Sequence, residues 1–366
     1  MKRFLIVINH LAFGGAERLV VDQINELTRL GHWVELLTLV KTKKPGFQEE
    51  LILPSSQIHH LEINFNKLEN FLTLRRFLSE RKEFTIITHL FLANTLVRLA
   101  ALFIYSRPKL ITYEHNAYYN EKTSKHFLID RILASFTHRL IAVSEEVRNF
   151  LIEKGLSPDK IILVENGIDD NFVSELPDEV CTRRTLGFVP SDLLVVSAGN
   201  VTQQKGYEVL KIIAPTLISK YRNLHFVVCG WAESEYAKNL KSEIDQLDLV
   251  DHIHFLGSRS DVLSIIKSAD IFFMPSLWEG LSMALLEALV MGKCILTTDI
   301  PSTKTVINDS GAGLVFPPND AEEAITLIDM LLSDPVKRGS YEHRAKEVSS
   351  QYSIKNNVSK LLEVIA

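Results

Sequence analysis

The chain is short of cysteine, of long apolar runs and of surplus positive charge, and each shortage closes off a class. Three cysteines in 366 residues, Cys181, Cys229 and Cys294, are odd in number and far apart. They do not make a disulfide framework. Cys229 and Cys294 sit in apolar, strand-like runs and are expected as buried free thiols, which points to a reducing cytoplasm. No apolar run approaches the roughly 20 residues needed to span a bilayer. The opening Met1-Lys2-Arg3-Phe4-Leu5-Ile6-Val7-Ile8-Asn9 has the outline of a signal peptide, but its apolar part is short and no small-residue cleavage site follows. It reads as a first strand. A net charge of −5 argues against a nucleic-acid binder. The charge is uneven: residues 1–170 carry 22 basic and 20 acidic side chains, the remainder 18 and 25. Only the first part is suited to approach an anionic surface. Low-complexity tracts and short repeats are missing. So is the G-x-G-x-x-G fingerprint, which disfavours a NAD-dependent oxidoreductase. His252 and His254 stand two apart with no partner ligands nearby, so no metal site is expected.

What the chain has is alternation. Short apolar runs cover residues 4–9, 34–39, 86–90, 110–113, 140–143 and 161–164 in the first half. In the second half they cover 193–198, 225–229, 253–256, 271–274, 295–297 and 314–316. Helix-length amphipathic segments separate them, so the pattern predicts parallel, doubly wound α/β sheets. Two series of six are too many for one ordinary open sheet, and the length exceeds one ordinary core, so two domains are expected. Periodicity breaks at Glu175-Leu176-Pro177-Asp178-Glu179 and again at Gly187-Phe188-Val189-Pro190-Ser191-Asp192. The expected division is residues 1–170, a linker over 171–191, a second domain over 192–350, and a helix over 351–366 that packs back toward the first domain.

One stretch concentrates the chemistry. The run 271–274 leads into a turn, Pro275-Ser276-Leu277-Trp278-Glu279-Gly280-Leu281-Ser282, and then into a helix that is apolar on most sides and ends at Gly292. Ser282 is placed as its N-cap and Gly292 as its left-handed terminator. Glu287 is the exception on that helix. A lone buried carboxylate is heavily penalised, so Glu287 either reaches solvent at an edge or has a hydrogen-bonding partner. Glu279 precedes it with seven residues between. The two acids bracket a helix N-terminus, whose free N–H groups and dipole attract phosphate. A sugar, a diphosphate and a ribose suit that arrangement; a capping acid and a surface glutamate would leave the same spacing.

Other loops follow strands in the same way. Asn9-His10-Leu11-Ala12-Phe13-Gly14-Gly15-Ala16-Glu17-Arg18 opens the first helix at the carboxyl end of a strand, where ligands bind in open α/β sheets. Its two glycines are expected to let a backbone approach a ligand and to supply positive-φ turns. In Tyr113-Glu114-His115-Asn116, His115 could donate to a sugar hydroxyl or be structural. Val164-Glu165-Asn166-Gly167-Ile168-Asp169 carries an Asn-Gly turn signal. In Ser197-Ala198-Gly199-Asn200-Val201-Thr202-Gln203-Gln204-Lys205-Gly206-Tyr207, Lys205 is positioned to place an ammonium on a diphosphate, or simply to be solvated. Phe255-Leu256-Gly257-Ser258-Arg259-Ser260-Asp261 opens another helix, with Asp261 as its expected cap.

Taken in order, five of these pieces resemble the family 4 glycosyltransferases of the GT-B fold, across nearly the whole chain. They are Gly14-Gly15-Ala16-Glu17, Asn166-Gly167-Ile168-Asp169, Gly199 through Lys205-Gly206, Gly257-x-Arg259-x-Asp261, and the Glu279-x7-Glu287 helix. The resemblance implies two Rossmann-like domains facing a cleft, with a nucleotide sugar mainly on the second and the acceptor on the first. Glu287 matches the acid that binds the ribose hydroxyls, and Glu279 the acid near the donor sugar. The N–H groups of Gly280, Leu281 and Ser282 would meet the diphosphate, and Lys205 would neutralise it as it leaves. The main chain near Arg259 would contact the base, Gly14 and Gly15 would approach the diphosphate from the other domain, and His115 would lie at the reaction centre. Many relatives carry an Arg after the glycine matching Gly199; here it is Asn200, a neutral amide that cannot stabilise a developing charge as a guanidinium does.

The implied enzyme is a cytoplasmic, retaining glycosyltransferase that needs no metal or other cofactor. It moves a sugar from a UDP- or GDP-linked donor to a glycan or glycolipid hydroxyl, in cell-surface polysaccharide or glycolipid synthesis. No nucleic-acid partner is expected. Alternatives are a nucleotide-sugar epimerase of the same fold and a silent sugar-binding subunit. Over residues 67–82 Leu68, Phe71, Leu72 and Leu78 stand beside Arg75, Arg76, Arg81 and Lys82, a pattern that suits either a helix covering a sheet with its basic face to water or a peripheral membrane contact of the first domain. Changing Glu287 or Lys205 to Ala is expected to lower transfer without unfolding the protein.

Overall fold

Both series of apolar runs become strands of parallel sheets. Such sheets are covered by helices on both faces, so their strands are apolar throughout rather than alternating. Phe4 to Ile8, for instance, are all fully buried. The computed structural model describes residues 1–41, 46–63, 68–117 and 123–365. It divides into two units, Met1–Ile168 with Ser353–Ala366, and Asp169–Tyr352.

The first unit holds seven strands: β1 (Arg3–Ile8), β2 (Trp33–Thr38), β3 (Ile58–His60), β4 (Thr85–His89), β5 (Lys109–Glu114), β6 (Arg139–Ala142) and β7 (Ile161–Leu163). Their order is β3-β2-β1-β4-β5-β6-β7, and all pairs are parallel. The order reverses between β1 and β4, so the loops after these two strands flank the ligand-binding switch point of such a sheet. β3 is absent from the six expected runs. It is a three-residue edge strand with two histidines, none of it fully buried, so it has no apolar signature.

The helix Ile354–Val364 belongs to this unit and packs on the helix Gly15–Arg29. Gln23 Nε2 donates to Asn357 Oδ1 at 2.8 Å, and Asn357 Nδ2 donates to the Glu165 carbonyl at 2.6 Å. Gly167 earns its place by proximity rather than by turn geometry: a Cβ there would stand 2.6 Å from the Ser353 carbonyl oxygen.

The second unit holds β8 (Leu193–Ala198), β9 (Leu224–Cys229), β10 (Ile253–Gly257), β11 (Ile271–Met274), β12 (Ile295–Thr298) and β13 (Gly313–Phe316), in the order β10-β9-β8-β11-β12-β13 and again all parallel. Its switch point lies between β8 and β11. The stretch 171–191, expected as a linker, is in large part folded into this unit. It contains the helix Glu179–Thr185, whose buried Arg183 donates to the Ser268 carbonyl and to Asp270 Oδ2, the latter at 2.8 Å. Proline and glycine marked the edges of that helix but hid its anchor. Cys229 and Cys294 are buried free thiols, and burial pushes both up to about 12; Cys181 is exposed. Among the described residues no helix is long and apolar enough to cross a membrane.

Candidate active site

In the second unit the loops after β8 and β11, the two strands at the switch point, are bound to each other. Gln203–Lys205 forms a single 3-10 turn, closed by Gly206 at φ +64°. A Cβ on Gly206 would collide with the Pro275 carbonyl oxygen, so only glycine lets the two loops meet. The contact is then fixed by hydrogen bonds. Leu277 N donates to the Gln204 carbonyl at 2.7 Å, and Gln204 Nε2 donates to the Trp278 carbonyl at 2.9 Å. Lys205 Nζ donates to Glu279 Oε1 at 2.5 Å, with both side chains nearly closed to solvent. The Lys205 stem crosses Gly199, whose φ is +147°; a Cβ there would lie 2.8 Å from Lys205 Cε.

Past Glu279 the chain turns through buried Gly280, Leu281 and Ser282 into the helix Met283–Val290. Ser282 is at the N-cap position with extended backbone, but its hydroxyl makes no capping bond. The first N–H groups of the helix are therefore not taken up by that side chain. Glu287 is on this helix and buried, so the solvent-edge option for it falls. Gly292 takes φ +62°, as a helix-ending glycine does.

Two further expected residues are already engaged. Arg259 forms a forked pair with Asp261, two bonds of 2.7 Å each, which holds the Asp261 carboxyl below the usual range. Asp261 is at the N-cap position of its helix, but it spends its oxygens on Arg259 and makes no side-chain cap. Asn200 is exposed, and its Oδ1 accepts from Trp231 N at 3.0 Å. The residue in place of the familiar Arg thus ties two loop ends together. His254, considered above beside His252, pairs with His225 at 3.1 Å; among the described residues no group of three or more His, Cys, Asp or Glu is arranged to hold a metal.

In the first unit, the glycines behave differently from expectation. Neither Gly14 nor Gly15 has positive φ; Gly14 is extended at φ −175°. The Glu17 carboxylate folds back over Gly14, where a Cβ would meet it unless that side chain moved. Glu17 is in the first turn of the helix, 3.4 Å from His10 Nδ1, and burial pushes its carboxyl up to about 7. Beyond β1, β2 and β3 a cavity of about 290 Å³ is lined by His10, Thr38, Gln48 and His60 among others.

His115 follows β5 and meets a residue that sequence reasoning passed over. Its Nε2 is 3.0 Å from Nδ1 of His89, the last residue of β4. His89 is fully buried, and its own Nε2 has no partner. Burial depresses both imidazoles, His115 to about 4, so both are neutral at pH 7. A buried orphan N–H is rarer than an under-satisfied acceptor. The favoured tautomer therefore leaves His89 Nε2 bare and puts the proton on Nδ1, donating to His115 Nε2. His115 then carries its own proton on Nδ1, as a hydrogen-bond donor. The histidine at the end of an apolar strand run was the available signal for His89.

Comparison with known proteins matches the two units separately. Residues 13–172 match the family model described as Glycosyltransferase Family 4, and residues 182–348 the model described as Glycosyl transferases group 1. An uncharacterized glycosyltransferase of Haemophilus influenzae is 23% identical over 97% of both chains. An Escherichia coli UDP-Gal:alpha-D-GlcNAc-diphosphoundecaprenol alpha-1,3-galactosyltransferase is 24% identical over 81% of this chain and 79% of its own. Among solved structures, Anabaena HepE in complex with UDP and glucose superimposes with a TM-score of 0.86 at 18% identity, covering 100% of this chain and 99% of its own.

Proposed function

The chain belongs to the family 4 glycosyltransferases, with the GT-B fold, and from this we propose that it moves a sugar from a uridine diphosphate sugar to a hydroxyl of a lipid-linked glycan. It is a glycosyltransferase of glycolipid or polysaccharide synthesis. The donor and acceptor classes are the proposed part. They are supported by the UDP in the HepE complex and by the diphosphoundecaprenol acceptor in the name of the Escherichia coli relative.

The observation that carries the reading is the Lys205–Glu279 pair just ahead of the helix that bears Glu287, whose N-cap serine makes no capping bond. We assign the donor diphosphate to that helix end and to Lys205, the donor sugar to Glu279, and the ribose to Glu287. Gly199, Asn200 and the main chain at Arg259 complete the donor side. In the transfer step the bond from the anomeric carbon to the diphosphate oxygen breaks and its electron pair leaves with the diphosphate. The acceptor oxygen bonds to the same face of that carbon, and its proton passes to the departing phosphate oxygen. Retention of configuration follows from the shared face. The protein's contribution is positioning and charge stabilisation. The reading assigns neutralisation of the diphosphate to Lys205 and the helix dipole, with no metal ion. On the first unit it assigns the acceptor to the cavity beyond β1–β3, and to His115 a hydrogen bond to a sugar hydroxyl.

A panel of UDP- and GDP-sugars with lipid-linked acceptors tests this, scored by nucleotide release and product, with and without a metal chelator. Release that needs an acceptor and survives the chelator is the expected result. Donor conversion without acceptor would mark an epimerase, and donor binding without release a silent subunit.

A further inference from the structure

Four elements far apart in the sequence meet in one buried chain of contacts, and the chain ends on His115. Gln23 is on the helix Gly15–Arg29, Tyr113 in β5, His89 at the end of β4 and Asn357 on the helix Ile354–Val364. The first three are fully buried and Asn357 nearly so. Gln23 Nε2 donates twice, to Asn357 Oδ1 at 2.8 Å and to the Tyr113 hydroxyl at 3.0 Å, which uses both hydrogens of that amide. The Tyr113 ring lies on the His89 ring, with centroids 4.6 Å apart and planes 16° apart. His89 Nδ1 then stands 3.0 Å from His115 Nε2.

The hydrogen bonds have one direction. Asn357 Nδ2 donates to the Glu165 carbonyl at 2.6 Å. A carbonyl takes only a donor, so the nitrogen of Asn357 must face Glu165 and its oxygen must face Gln23. Gln23 must in turn offer its nitrogen, and the Tyr113 hydroxyl accepts. This arrangement leaves Gln23 Oε1 buried with no partner, which is destabilising. Apolar side chains at 23, 113 and 357 would fill the space without that penalty. What the polar chain adds is a single orientation for each group in it. The strand around Tyr113 is held by other means: it is in register with β4 and β6, and Asn94 Nδ2 donates to the Tyr113 carbonyl at 2.9 Å. Gln23 therefore fixes the ring rather than the strand, and a ring stacked on an imidazole fixes the plane of that imidazole.

We propose that Gln23, Tyr113 and Asn357 are positioning residues for the transfer step. They lock the plane of His89 and, through it, the tautomer of His115, so that His115 keeps its Nδ1 proton for a sugar hydroxyl. The last helix of the chain, which carries Asn357, is thereby part of the assembly that sets His115. This rests on the role assigned to His115 above and extends it to residues that touch no substrate.

Gln23→Leu in the full chain removes both donations and fills the space. Its kcat should fall about tenfold while KM for the nucleotide sugar stays within about twofold. The nitrogen-15 signals of His115 should change from one Nδ1-protonated form to a mixture of tautomers. Adding Tyr113→Phe removes the hydroxyl left without its donor, so the double variant should regain part of the lost Tm and none of the lost kcat. If Gln23→Leu does not fold, Tyr113→Phe alone decides. It keeps the ring and loses the tether, and its kcat should fall about threefold with the same change of signals. Wild-type kcat, unchanged His115 signals, or a double variant that regains kcat along with Tm overturns the proposal and reduces the three residues to core packing. The nitrogen-15 measurement needs no substrate. A wild type that releases no nucleotide counts against the enzymatic reading, and a His115→Ala variant as active as the wild type counts against the role of His115. In either case the signals still decide whether these residues hold its tautomer.

Discussion

Lys205 Nζ and Glu279 Oε1 are 2.5 Å apart in a pair that solvent scarcely reaches. The cation assigned to the donor diphosphate is thus already partnered, and Glu279 holds it in place. Lys205→Ala is expected to lower transfer without unfolding the protein, and the pair adds that it should also weaken the fold. Removing the lysine leaves a buried carboxylate with no cation, held only by a long bond from Gln204 Nε2 at 3.5 Å, at a cost of about 3 kcal/mol. Lys205→Ala should abolish transfer and also lower the urea midpoint. Lys205→Met with Glu279→Leu should recover stability and stay inactive. An unchanged midpoint in Lys205→Ala would show that the pair contributes nothing to folding.

Glu287 should behave differently. It is buried on a helix whose role is to present it, and its proposed partner is a ribose that does not react. Glu287→Ala should raise KM for the nucleotide sugar roughly tenfold, with kcat changed much less, because the lost bond is shared by ground and transition states. A fall in kcat at unchanged KM would move Glu287 from binding to chemistry.

The His89–His115 contact predicts a tautomer. Nitrogen-15 spectra should show the His115 proton on Nδ1. In His89→Asn the amide stands where Nδ1 stood and should preserve transfer. In His89→Gln the amide stands where Nε2 stood, and kcat should fall about tenfold. Equal activity in the two variants would reduce His89 to a packing residue. With its imidazole depressed to about 4, His115 should contribute no inflection to the rate profile near pH 6.5.

Stability should respond to pH in two opposite ways. His89, His115, His225 and His254 are all held below the ordinary imidazole value, chiefly by burial. The unfolded chain takes up their protons first, so stability is lost as pH falls below about 6.5, by roughly 1.4 kcal/mol per pH unit for each group still neutral in the fold. Glu17 does the reverse. Raised to about 7, it keeps its proton in the fold after the unfolded chain has released one, so stability is lost as pH rises from about 4.5 toward 7. Glu17→Gln should therefore raise Tm at pH 8 more than at pH 4. A uniform shift at both would show that Glu17 ionises normally.

The sequence made the two sheets legible because their strands are buried on both faces and read as unbroken apolar runs. It showed the Glu279–Glu287 spacing because both acids interrupt apolar surroundings. It did not show that Lys205 is bonded to Glu279, since a lysine before a glycine looks the same when solvated. β3 was invisible because an edge strand with two histidines has no pattern. Gly14 was expected to supply a positive-φ turn, but its backbone is one any residue could adopt, and the Glu17 carboxylate lies over it. His89 was counted within the strand run 86–90, and only the fold brings it against His115.

The helix Ile354–Val364 completes the first unit, although the whole of the second unit separates it from the rest of that unit in the sequence. Synthesis and completion therefore run in opposite orders. On the ribosome, Asp169–Tyr352 emerges as one uninterrupted segment and can close while the earlier half still exposes the helix Gly15–Arg29, with Gln23 awaiting Asn357. A stop codon in the last dozen codons would spare the half made most recently and cripple the half made first.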